Sequence, residues 1–164
     1  MDDLEIERKY LIRMPEAALL ASLPASEIEQ VYILSPAGKR ERVRRRVFAD
    51  RTVYTHTAKE RLSELSRIEI EKKIGEEEYR SFLAAADPSR SPIRKTRYLY
   101  EYEGQLFEID VFPFWDDRAL MELELRDEAQ EILLPPAIEI VREVTSESRY
   151  TNSSLAREVP RESI

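Results

Sequence analysis

Charged residues recur two apart along this chain, mostly with an aliphatic residue between them. Glu5 and Glu7 flank Ile6, Arg42 and Arg44 flank Val43, Glu69 and Glu71 flank Ile70, Glu108 and Asp110 flank Ile109, and Glu122 and Glu124 flank Leu123. Lys95 and Arg97 flank Thr96, while Lys9 and Lys59 stand singly. Each pair carries one sign. Carboxylates in number, with no cysteine and one histidine, suit hard divalent cations such as Mg²⁺ or Mn²⁺, which take oxygen ligands. Arginines and lysines on facing elements suit a polyanion such as phosphate. A single cavity with both sets of charge is built for a metal–polyphosphate complex.

The spacing also says what must hold these groups. Alternate residues share one face of a β-strand. In LEIERKYLI (4–12), Glu5, Glu7 and Lys9 then point one way, and Ile6, Tyr10 and Ile12 the other. Glu5 and Lys9 also have the i,i+4 spacing of a helical ion pair, but no helical period explains same-sign pairs two apart in five further segments. A wet sheet face tolerates any one pair: carboxylates two apart lie roughly 6.5 Å from each other and repel by only about 0.6 kcal/mol in water. Wetness does not explain why paired positions on nearly every strand are ionic, where Ser, Thr, Asn or Gln would serve. If the sheet closes, that face becomes a lumen. There each pair repels by roughly 2.5 kcal/mol at an effective dielectric of about 20, and water, cross-barrel ion pairs or bound cations must compensate.

Strands are expected at 4–12, 28–34, 41–48, 52–59, 67–74, 93–103, 105–112 and 119–126, with turns at Pro36–Gly38 and Gly104. EEEYRSFLAAA (76–86) is amphipathic, with Tyr79, Phe82, Leu83 and Ala86 on one side, and predicts a covering helix. PEAALLASL (15–23) predicts a short packing helix, DEAQEILL (127–134) looks helical, and 138–144 is ambiguous. The pattern predicts a β-dominated α+β fold: a closed eight-stranded antiparallel β-barrel, or tunnel, with a charged lumen and helices packed outside.

At 164 residues, one domain spanning 1–164 is expected. Charged residues make up 36% of the chain, yet 42% hydrophobic content opposes disorder. A net charge of −7 opposes nucleic acid and anionic membrane as partners, despite RERVRRR at 40–46. The absence of cysteine excludes disulfides, thiolate catalysis and zinc–thiolate sites. With no signal-peptide core and no spanning apolar stretch, a cytoplasmic protein is the expectation. A homodimer is compatible with the sequence but has no signature in it. His56 has the opposite parity to Lys59 and reads as structural, Trp115 as a loop anchor or core cover, and Tyr150 and Asn152 as closing one tunnel end. Arg46 and Lys73 share the parity of the site residues and read as tunnel-rim positions.

The residues together resemble a known family. The Glu-x-Glu-x-Lys of Glu5, Glu7 and Lys9, followed in order by Arg42/Arg44, Lys59, Glu69/Glu71, Lys95/Arg97, Glu108/Asp110 and Glu122/Glu124, resembles the CYTH domain of the triphosphate tunnel metalloenzyme superfamily. REVTSESRYTNSSLA (142–156) is similar to the late motif of its small prokaryotic members. The resemblance implies an eight-stranded tunnel that hydrolyses triphosphates, or in one branch cyclises ATP, with a divalent cation. It implies Glu5, Glu7 and Glu124 as metal ligands, with Glu122 and Asp110 next. Lys9, Arg42, Arg44, Lys59, Lys95 and Arg97 would hold the phosphates. Glu69 and Glu71 would ligate a second cation or orient water, and Tyr32 resembles a tunnel tyrosine. The short chain favours hydrolysis of inorganic triphosphate to pyrophosphate and phosphate. The rivals are a class IV-type adenylate cyclase, a thiamine or nucleoside triphosphatase and, in another class, a non-catalytic polyphosphate or nucleotide binder.

Overall fold

The alternation of charged and aliphatic residues is realised as strand pleat. The computed structural model describes residues 4–34, 40–63 and 66–164. The strands are β1 (Leu4–Arg13), β2 (Ala25–Ile33), β3 (Arg40–Val47), β4 (Thr52–Arg61), β5 (Ser66–Ile74), β6 (Ile93–Tyr102), β7 (Gln105–Val111), β8 (Arg118–Glu124) and β9 (Ile140–Glu143). The α-helices are α1 (Ala17–Ala21), α2 (Glu76–Leu83) and α3 (Asn152–Leu155), with a 3₁₀ turn at Ser148–Tyr150. The expected turn at Pro36–Gly38 lies outside the described residues. Glu103 and Gly104, both at positive φ, form the tight β6–β7 turn.

All pairings are antiparallel, in the order β5-β4-β3-β2-β6-β7-β8-β1-β9. This corrects the expected barrel. Among the described residues the sheet has nine strands and is not a simple closed ring of eight, because two strands share one edge of β1. β5 meets only the first residues, from Leu4↔Ile68 to Ile6↔Ser66. β9 takes the later stretch, from Tyr10↔Glu143 to Ile12↔Ile140, across a bulge at Leu11/Ile12. The other edge is filled by β8 over Glu7–Arg13.

Register sets opposite charges side by side. Lys9 lies opposite Glu122, Lys59 opposite Glu69 and Arg97 opposite Asp110, the arrangement that stabilises a cross-strand pair. The intervening aliphatics face outward and need cover. Ile6, Phe107, Ile109, Met121 and Leu123 form one buried cluster, with Leu19 of α1 and Ile132 packed against it. Val31, Ile33 and Val43 form another with Tyr79, backed by Phe82 and Ala86, so the 76–86 segment covers the sheet as its pattern predicts.

Residues 127–134 are not helical. Asp127 accepts a hydrogen bond from the Ala129 backbone at 2.8 Å, a local turn that competes with helix. The side chain of Gln105 then clamps both backbone groups of Leu133, at 2.8 and 3.1 Å. The segment serves as an irregular cover.

Candidate active site

The charged face encloses a cavity of about 280 Å³ with no aliphatic side chain among the described residues of its lining. Strands β1 to β8 contribute by parity: Glu7 and Lys9 from β1, Tyr32 from β2, Arg42 and Arg44 from β3, Lys59 from β4, Glu69 and Glu71 from β5, Lys95 and Arg97 from β6, Glu108 from β7, and Glu122 and Glu124 from β8. The side chain of Glu5 lies outside the described residues. Asp110 is absent from the lining: it is buried, with both oxygens already engaged, so the structure does not bring it to the cavity as a ligand.

Further along the strands, at the same inward parity, the charged rows give way to Leu11, Ile93, Phe112 and Leu120, which cluster with Trp115, Tyr150 and Leu155 in a buried core outside the cavity lining. The segment 151–153 lies over the cavity, where Lys9 Nζ donates to the Tyr150 carbonyl at 3.2 Å and Lys95 Nζ to Asn152 Oδ1 at 3.1 Å. The expected closing role of Tyr150 and Asn152 thus has a polar counterpart.

The cations divide into two classes. Lys9 pairs with Glu122 (3.3 Å), Lys59 with Glu69 (3.5 Å), and Lys95 with Asp110 (2.8 Å). Arg97 forks onto Asp110 at 2.8 and 2.9 Å and also reaches Glu108 at 3.1 Å. Arg42 and Arg44 make no ion pair with any described residue. Arg42 is buried with its Nε lacking any hydrogen-bond partner among the described residues. Among the described residues Arg44 donates only to Gln30 Oε1, through Nε at 3.2 Å and Nη2 at 3.1 Å. A buried guanidinium without a counter-charge is costly, and an anion in the cavity would relieve it.

Electrostatics follow from burial. Burial drives the Lys95 ammonium down to about 7, with Asp110 opposing and Arg97 and Arg44 adding to the fall. Burial, then Arg42 and Arg97, push the Arg44 guanidinium down to about 9, so it stays charged at neutral pH. For Asp110 and Glu122, burial alone would raise the pKa. Arg97 and Lys95 outweigh it at Asp110, and Lys9, Arg97 and Lys95 at Glu122, so both carboxyls lie below the usual range.

Among the described residues, no group of three or more acidic or histidine side chains is gathered closely enough to hold a metal ion. The donor chemistry nonetheless fits one. Glu7 and Glu122 line the same cavity and act on each other electrostatically, and a cation between two acids relieves their repulsion. Burial, then Glu108 and Glu69, push the Glu124 carboxyl up, with Lys59 opposing. Oxygen donors of this kind suit a hard divalent cation.

Several lining residues escaped the sequence reading. Arg40 extends the inward parity of Arg42 and Arg44, a signal that was present. Glu41 has the opposite parity, and Thr151 and Ser153 belong to an aperiodic tail, so spacing carried no sign of them. Gln30, buried and inward on β2, shares the parity of Tyr32. His56 is not in the lining; it stacks on Phe82 and contacts Glu41 at 2.9 Å.

The model of the CYTH domain family matches residues 3–158. The chain belongs to the CYTH domain family. Its relatives include an inorganic triphosphatase of Nitrosomonas europaea, 33% identical over 159 residues that cover 95% of this chain and 99% of the relative. An inorganic triphosphatase of Acetivibrio thermocellus is 32% identical over 154 residues, 93% of each chain. A crystal structure of the inorganic triphosphatase NE1496 superposes with a TM-score of 0.60 at 32% identity, covering 95% of this chain and 99% of that one. The CYTH assignment therefore spans the strands that carry the cavity. Among the described residues, no helix is long and apolar enough to cross a membrane.

Proposed function

We propose that this CYTH protein is a divalent-cation-dependent hydrolase that splits inorganic triphosphate into pyrophosphate and phosphate inside the charged cavity. The observation that carries the reading is the pair Arg42 and Arg44, which have no carboxylate partner among the described residues while facing a cavity that also holds carboxylates. The names of the two relatives point to the same substrate. The β1–β5 pairing joins the flanks of the sheet, and we read the whole as a tunnel.

In this reading Arg42 and Arg44 bind the phosphate chain, with Lys9, Lys59, Lys95 and Arg97 supplying further donors to its oxygens. Their positive charge stabilises the charge shared over the equatorial oxygens and the leaving pyrophosphate. Asp110 holds Lys95 and Arg97 in place. Glu69 and Glu71 orient water toward the terminal phosphorus. The water oxygen bonds phosphorus, the phosphoanhydride bond breaks, and the water proton passes to solvent through a carboxylate. Glu7, Glu122 and Glu124, with Glu5, would hold Mg²⁺ or Mn²⁺, which when bound neutralises phosphate charge and makes a bound water more acidic. Tyr32 donates a neutral hydrogen bond.

The test is incubation with Mg²⁺ or Mn²⁺ and, separately, inorganic triphosphate, ATP and thiamine triphosphate, with the products resolved. Pyrophosphate and phosphate from inorganic triphosphate, with little turnover of the organic esters, is the expected result. Cyclic AMP from ATP would move the chain to a cyclase, and metal-dependent binding without turnover would make it a binder.

A further inference from the structure

Gln30 has no exposed surface and sits between two cavity residues. Its Oε1 lies 3.2 Å from Arg44 Nε and 3.1 Å from Arg44 Nη2, and its Nε2 lies 3.2 Å from the Tyr32 hydroxyl oxygen. This chain of contacts has only one consistent direction. A guanidinium donates and never accepts, so the amide oxygen must face Arg44. The amide NH₂ must then face Tyr32 and donate to its oxygen. The flipped amide would set NH₂ against N–H and leave a buried donor unpaired.

The consequence falls on one proton. A tyrosine hydroxyl has one hydrogen to give, and Gln30 offers it no acceptor. Among the described residues, this hydroxyl has no other hydrogen-bond partner, and Tyr32 lines the cavity. We infer that Gln30 is a positioning residue that fixes the Tyr32 hydroxyl as a donor into the cavity, aimed at an oxygen of the bound phosphate chain. The inference rests on the triphosphatase reading and adds to it a neutral donor of set polarity. The same amide restrains Arg44, so one buried side chain aligns a charged donor and a neutral one.

The experiment is a double-mutant cycle on kcat/KM for metal-dependent triphosphate hydrolysis. Tyr32→Phe removes the donor. Gln30→Glu keeps the size of the side chain and the acceptor for Arg44, but replaces NH₂ by an acceptor that captures the hydroxyl proton. In the native background, Tyr32→Phe is expected to lower kcat/KM by about tenfold, the scale of one lost hydrogen bond to a charged group. In the Gln30→Glu background the same change should cost less than about twofold, because the hydroxyl is already turned away. A merely structural or electrostatic role for Gln30 would leave the Tyr32→Phe factor equal in both backgrounds, and that result overturns the inference. So does a native-background factor near one. If Gln30→Glu does not fold, as judged by circular dichroism, Gln30→Met replaces it. There the hydroxyl turns freely, and the Tyr32→Phe factor should fall to about threefold; an undiminished factor overturns the inference. A native chain that does not turn over triphosphate overturns the proposed activity itself, which is a separate outcome.

Discussion

Lys95 Nζ lies 2.8 Å from Asp110 Oδ2, and neither side chain is exposed to solvent. Arg97 forks onto both oxygens of the same carboxylate. Asp110 therefore acts as a fixed negative hub beneath two cavity cations. Three charged donors take three of the roughly four lone-pair sites on its two oxygens, so its main work is to hold cations in place.

Asp110→Asn should weaken metal-free triphosphate binding by tenfold or more, since both Lys95 and Arg97 lose their anchor. It should also lower stability by about 3–5 kcal/mol, the usual cost of breaking a buried pair. Affinity for Mn²⁺ alone should stay within about twofold. Calorimetry with each ligand and a thermal melt read all three. Lost Mn²⁺ binding with triphosphate binding intact would return Asp110 to the metal ligands.

Arg42→Met should trade function for stability. The native guanidinium is buried with an unpartnered Nε, so the apolar replacement should raise stability by about 0.5–2 kcal/mol while KM for triphosphate rises by at least an order of magnitude. Thermal melts and steady-state kinetics on one preparation suffice. A lowered Tm would show that Arg42 is satisfied in the free protein and would undercut the anion argument.

The tail offers a prediction in pH. Glu162 accepts hydrogen bonds from Arg142, Arg149 and Tyr150. Those from Arg142 and Tyr150 draw its carboxyl down from 4.5 to about 2. A carboxylate with a depressed folded-state pKa gives stability that is present above the unfolded value and lost as pH falls through the folded one. The Tm difference between native chain and Glu162→Gln should thus be constant above pH 4.5 and shrink as pH falls toward about 2. A gap that does not change with pH would mean that charge on Glu162 contributes nothing.

Much of this site could be read from spacing because strand pleat converts a two-residue period directly into one face. That logic reached Glu7, Lys9, Arg42, Arg44, Lys59, Glu69, Glu71, Lys95, Arg97, Glu122 and Glu124, all of which line the cavity. It could not tell which carboxylate would be consumed by neighbours: Asp110 and Glu122 share a parity pattern, and only register places Arg97 opposite Asp110. It also passed over Gln30, because a neutral residue in a row of charges looks unremarkable until its partners are known. The ninth strand was ambiguous for a different reason. The four residues of β9 are too few to show a period, and they pair only because β5 leaves the later edge of β1 free. The helix expected at 127–134 failed on local chemistry, where Asp127 turns the chain before a helix can start.

The most direct test of the account compares metal-dependent phosphate and pyrophosphate release from inorganic triphosphate by three proteins: the native chain, Arg42→Gln/Arg44→Gln, and Arg45→Gln. Arg45 lies between the two on β3 but is exposed and absent from the cavity lining. The account predicts that the double variant loses at least about a hundredfold in kcat/KM, as when two charged phosphate contacts are removed, while Arg45→Gln stays within about twofold of native. Equal activity in all three would contradict it, because the hydrolysis would then take place without the arginines that define the site.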